Sequence, residues 1–143
     1  AGPLRAANLP PGDYTIPYAG GMKEMNTPEF KEKWARGPVA TITVRRHGAD
    51  TGMGKQLGAW FLFILFVSAY AAYVAGAALD PGARYLAVFR FTGATALAAY
   101  AIGTWSESIW FGRKWSTTLK NTFDGLVYAL LTAGVFGWLW PNM

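Results

Sequence analysis

The chain has 143 residues, 52% of them hydrophobic, with seven tryptophans, one histidine, no cysteine and a formal net charge of +5. Without cysteine there are no disulfides or thiolate metal sites, and the lone His47 cannot supply the paired histidines of a haem or pigment site. Basic residues flanking apolar stretches account for most of the positive charge, so no nucleic-acid partner is expected.

The chain opens on Ala1 without an initiator methionine, and residues 4–9 read as a helix tail ended by Pro10-Pro11. Either an upstream continuation or a removed leader is consistent with this start. A further span upstream would raise the count to four and place both termini outside. Residues 1–56 differ in composition from the rest and are expected to form a small extramembrane α+β segment. Asn26-Thr27-Pro28-Glu29 is a helix-start signal, with Asn26 as N-cap and Glu29 placed for a capping box, and Gly37 supplies the stop. The resulting short helix over 28–36 puts Phe30 and Trp34 on one face and sets Glu29–Lys33 and Glu32–Arg36 at ion-pair spacing. Residues 39–44 alternate with β-branched side chains and read as a strand pairing with 14–17.

Gly52-Met53-Gly54-Lys55 resembles the end of a phosphate-binding loop. The earlier glycine is missing, however, since Ala49 holds its place, and Gln56 stands where a hydroxyl residue belongs. Nucleotide binding is therefore not expected. No serine or threonine has an evident base at membrane depth, and neither an enzyme activity nor a cofactor is expected.

Residues 57–143 contain three long apolar stretches, 57–79, 85–109 and 123–140. Each is long enough to cross roughly 30 Å of hydrocarbon at about 1.5 Å per residue. The expected fold is thus an all-α polytopic membrane protein of three transmembrane helices behind the N-terminal segment. Trp60, Trp105, Trp110, Trp115, Trp138 and Trp140 fall near span ends, where an indole finds both apolar and polar surroundings.

Arg36, Arg45, Arg46 and Lys55 precede the first span and Arg113, Lys114 and Lys120 lie between the second and third, whereas the first connection holds only Arg84. The positive-inside rule then puts the N-terminal region and an expected loop over 111–122 in the cytoplasm. The expected location is a plasma membrane of bacterial inner-membrane type. Asp80-Pro81-Gly82 predicts a sharp turn, hence an antiparallel hairpin of the first two spans.

Three charged residues fall within or beside the spans. Arg90 is expected to snorkel or pair with Asp80, and Glu107 and Asp124 to meet Arg113, Lys114 and Lys120 at the cytoplasmic boundary. Asp124 is also expected in the first turn of its helix, where the dipole favours a carboxylate. Small residues recur every four positions as Gly125, Ala129, Ala133 and Gly137 in the third span. Comparable rows are Ser68, Ala72, Gly76 and Thr95, Ala99, Gly103 in the first and second. Such faces let helix backbones approach closely in lipid.

Residues 108–113 with 115–120, the stretch from Phe123-Asp124-Gly125-Leu126 to Gly137-Trp138-Leu139-Trp140-Pro141, and the segment from Gly37-Pro38 to Val44 together resemble an uncharacterised family of small bacterial inner-membrane proteins. The resemblance implies no activity, cofactor or catalytic residue, and it implies a further hydrophobic segment near the N-terminus. The expected function is non-catalytic, an accessory subunit of a larger membrane complex or a homo-oligomer, in contact with the lipid bilayer and with other subunits or copies of itself. The alternative is an oligomeric channel or carrier lined by Arg90, Thr92, Thr95, Glu107 and Asp124.

Overall fold

The computed structural model describes residues 6–46 and 52–141; His47 lies outside them. The chain divides into two compact units, Ala1–Gly52 and Met53–Met143.

In the first unit, strand β1 (Gly12–Ile16) pairs antiparallel with β2 (Ala40–Val44), Tyr14 opposite Ile42. The Asp13 carboxylate accepts the Thr43 hydroxyl across this ladder at 2.7 Å. Between the strands lie helices α1 (Met22–Met25) and α2 (Pro28–Arg36). The N-cap of α2 is Thr27, not Asn26. A residue before proline is driven out of the helical region, and Thr27 is extended at φ −70°, ψ 149°, with Pro28 in the first helical position. Its hydroxyl accepts the Phe30 N–H at 3.3 Å. Asn26 is left to end α1, its side-chain amide donating to the Met22 carbonyl at 3.0 Å, so no capping box with Glu29 forms. Gly37, at φ +64°, closes the helix. Phe30 is buried and Trp34 half exposed, their rings 5.9 Å apart, and Glu32 pairs with Arg36 at 2.6 Å on the solvent side.

The second unit is helical throughout. It comprises α3 (Gly54–Ala78), α4 (Tyr85–Tyr100), a 3₁₀ turn (Ile102–Thr104), α5 (Trp105–Phe111) and α6 (Trp115–Leu139). Three helical segments, Gly54–Ala78, Tyr85–Phe111 and Trp115–Leu139, are long and apolar enough to cross a membrane. The protein is a three-span helical membrane protein with a small N-terminal α+β unit, and large apolar side chains such as Phe61, Leu62, Phe66 and Leu131 stand exposed where lipid would cover them.

Two boundaries differ from those expected. The second span is not one continuous helix, because Ala101 leaves the helical region at φ −121°, ψ −55°. The break lies against Gly125 of α6, and the Thr104 hydroxyl donates to the Ala101 carbonyl at 2.7 Å. The expected loop over 111–122 shrinks to the three residues between Phe111 and Trp115, since α6 begins at Trp115. Gly112 ends α5 in the left-handed region at φ +65°. The polar Ser-Thr-Thr turn that follows is helical, and two hydroxyls at the start of α6 tie it to α5. Ser108 and Thr118 share a hydrogen bond at 2.5 Å, and the Trp105 indole donates to Thr122 at 2.9 Å. Asp124 is accordingly well inside α6 and not in its first turn.

Helix α4 is central, with α3 and α6 packing mainly on it and little on one another. The α4–α6 contact is the closest. A methyl group at Gly125 would stand 2.9 Å from the Ala101 Cβ, and one at Gly93 would stand 3.0 Å from the Ala133 Cβ. Val88, Thr92 and Ala96 of α4 and Gly125, Ala129 and Ala133 of α6 are buried, Ala96 and Ala129 in one cluster with Val67 of α3, and Gly137 lies against the Tyr85 ring. The small-residue row of the third span is therefore occupied within the chain.

On α3 the buried row is Val67, Ala71 and Ala75, one position before the expected one. Ser68 and Ala72 lie half-buried at its margin, and a methyl group added at Gly76 would meet nothing within 4 Å. On α4 likewise Val88, Thr92 and Ala96 are buried, whereas Ala99 and Gly103 are exposed. In helices this rich in alanine, adjacent four-residue rows are both small, and composition alone does not choose between them.

The hairpin turn is as expected. Gly82 adopts φ +80° after Pro81, and the Ala83 N–H returns to the Asp80 carbonyl at 3.1 Å. The end of α6 is fastened to it, with Gly82 N–H donating to the Pro141 carbonyl at 2.7 Å and the Trp140 indole to the Asp80 carbonyl at 3.2 Å.

Candidate functional site

A cleft with polar and aromatic walls, about 380 Å³ in volume, lies between α3, α4 and α6. Its α6 wall follows from helical periodicity. Asn121, Asp124, Gly125 and Tyr128 are spaced i, i+3, i+4, i+7 and so share a face. Helix α3 supplies Trp60 and Phe63, and the end of α4 with the turn beyond it supplies Tyr100 and Thr104. Gly125, lacking a side chain, lets α4 come in close at the cleft floor and leaves the rings around it to form the walls.

Four rings pack together there. The Trp60 centroid is 5.3 Å from Phe63, 6.5 Å from Tyr100 and 6.2 Å from Tyr128, and Tyr100 is 5.8 Å from both Phe63 and Tyr128. Such edge and tilted contacts add roughly 0.5–1.5 kcal/mol per pair beyond area burial. Trp60 and Tyr128 nonetheless keep about 44% of their surface exposed, so ring surface remains available to the cleft. Asp124 is the one acidic group lining it, and among the described residues it forms no hydrogen bond or ion pair.

The charged residues singled out in the spans are not brought together. Glu107 pairs with Arg113, both about half exposed, a setting in which an ion pair contributes at most ~1 kcal/mol. Arg90 stands exposed on α4, away from the buried Val88–Thr92–Ala96 row, and makes no ion pair with Asp80 or any other described residue. The hydroxyls of Thr92 and Thr95 bond back to the Val88 and Phe91 carbonyls of their own helix, both at 2.8 Å. Of these residues only Asp124 faces this cleft.

Further along α3 and α6 lie two smaller apolar hollows. One of about 250 Å³ is lined by Ser68, Thr132 and Phe136, and one of about 300 Å³ by Ala72, Leu139 and Trp140. The first unit carries a separate hollow of about 250 Å³ between Met25, Phe30, Lys31 and Trp34.

Trp60, Tyr100 and Tyr128 have no signature in the sequence as a cluster, because their contact depends on how three helices pack. The spacing of Asn121, Asp124 and Tyr128 is the available signal, and the loop-like composition of residues 111–122 obscures it. Comparison of the chain with known protein families, curated proteins and solved structures finds no match.

Proposed function

We propose that this protein acts by assembly and not by catalysis, as an accessory subunit of a bacterial inner-membrane complex or as a homo-oligomer, with its N-terminal unit on the cytoplasmic side. One observation carries this reading. α3 and α6 both pack on α4 and little on one another, which leaves the side between them open, edged by Ser68, Ala72, Thr132 and Phe136. Gly76 continues the Ser68–Ala72 row into open space. Small residues on an unfilled side offer another transmembrane helix a close approach, the main source of helix association in lipid. A channel or carrier would need the polar span residues to converge on one cavity, and the dispersal of Arg90, Glu107 and Asp124 weighs against that alternative.

Gly76→Leu tests the proposal cleanly. Among the described residues nothing from another segment lies within 4 Å of a methyl group added there, so the added bulk should leave the three-helix fold intact while obstructing a neighbouring helix. Wild-type protein purified in mild detergent is expected to run as a particle larger than one chain, and Gly76→Leu as a monomer. A monomeric wild type with no co-purifying subunit would refute the assembly reading.

A further inference from the structure

We propose that the cleft bounded by Trp60, Tyr100, Tyr128 and Asp124 is a binding site for an ammonium group, as found on an amine-bearing lipid headgroup or a free small organic cation.

The chemistry is that of its walls. A carboxylate without an ionic partner supplies net negative charge, and the rings supply negative quadrupole faces that attract a cation lying within about 6 Å of the ring centroid. The volume, about 380 Å³, accommodates a small organic cation but keeps any group inside it close to these rings. Lys120, one turn before Asp124 on α6, makes no ion pair with it. A lysine placed N-terminal to its acidic partner is the less favourable order along a helix. The Asp124 carboxylate thus has no direct ionic partner among the described residues.

Metal ions suit the site poorly. Calcium takes six to eight oxygen ligands and magnesium a near-octahedral set, whereas here one carboxylate and the Asn121 amide stand among rings. An ammonium group instead uses rings and carboxylate together.

Depth favours the same ligand class. Asp124 lies about 23 Å along the helix axis from Leu139, so a hydrocarbon layer of roughly 30 Å reaching from that end brings it near the opposite boundary. Lipid headgroups and soluble cations both reach that level.

The experiment uses the full chain, delipidated in mild detergent. Choline is the soluble probe, with 3,3-dimethylbutanol as its uncharged isostere, and binding is read by equilibrium dialysis. In a parallel arm, retention of a phosphatidylethanolamine is compared with that of a phosphatidylglycerol by native mass spectrometry. Preference for the ammonium-bearing member of either pair by about tenfold, lost in Asp124→Asn and retained in Asp124→Glu, is the expected result. Tyr128→Leu should weaken binding severalfold, and Arg90→Ala should leave it unchanged. Choline binding alone assigns the site to a soluble cation, and ethanolamine-lipid retention alone assigns it to a headgroup. Circular dichroism establishes that each variant keeps its helix content. No such preference in either arm, or equal binding by wild type and a helical Asp124→Asn, would overturn the proposal.

Discussion

The hydroxyls of Ser108 and Thr118 meet at 2.5 Å across the turn between α5 and α6, and both residues are buried. Two short polar side chains thereby fasten a segment whose composition reads as a loop. Removing either hydroxyl leaves the other buried with a partner lost, at a cost of about 1–3 kcal/mol, whereas replacing both with apolar groups of similar shape costs less than the sum. Ser108→Ala, Thr118→Val and the double variant, followed by unfolding in mixed micelles, should therefore give a coupling energy well above zero. Additive losses would mean that the pair does not hold the turn.

The α4–α6 contact makes a sharper demand. Gly125 faces the Tyr100 carbonyl and the Ala101 Cβ at distances a methyl group could occupy only if backbone moved. Ala133 is fully buried beside Gly93 on the same interface. Gly125→Ala and Ala133→Leu are expected to destabilise the monomer by roughly 1–3 kcal/mol, in the manner of overpacked cores. Thermal unfolding in detergent measures this. If either variant altered only the size of the assembled particle and not the stability of the chain, the row would face a partner and not α4.

What is legible in the sequence is whatever one helix decides for itself. Span number, the Asp80-Pro81-Gly82 turn and the strand over 39–44 follow from hydropathy, turn chemistry and alternation, which are local. The failures share a different cause. The start of α6 depends on Ser108 reaching Thr118, and the break at Ala101 lies against Gly125 on another helix. The choice of Val67–Ala71–Ala75 over Ser68–Ala72–Gly76 likewise depends on which side of α3 meets α4. For the site, Asp124 is legible as an unusual residue, but its aromatic neighbours come from three helices and have no linear signature.

Thr27 offers a local test in the first unit. Its hydroxyl both accepts the Phe30 N–H and donates to the Glu24 carbonyl at 2.7 Å, linking the end of α1 to the start of α2. Thr27→Ala should cost about 1 kcal/mol, and Asn26→Ala clearly less if its role is confined to the Met22 carbonyl. Hydrogen exchange at the Phe30 amide distinguishes them, since only the Thr27 variant should accelerate it. Equal acceleration by both would return the N-cap role to Asn26.

Orientation can be tested with two positions on opposite ends of the helices. The turn holding Ala83 is tied to the end of α6 through Gly82 and Pro141, whereas Lys114 lies in the short connection between α5 and α6, at the other end of that helix. The excess of Lys and Arg beside Lys114, with only Arg84 near Ala83, predicts a cytoplasmic Lys114 and an external Ala83. The chain has no cysteine, so Ala83→Cys and Lys114→Cys each introduce a unique thiol. In intact cells an impermeant maleimide should modify the first, and it should reach the second only after the membrane is opened. Labelling in the reverse order would invert the orientation while keeping the three spans. Labelling of both in intact cells would place the two ends of α6 on one side and remove the transmembrane assignment of that helix.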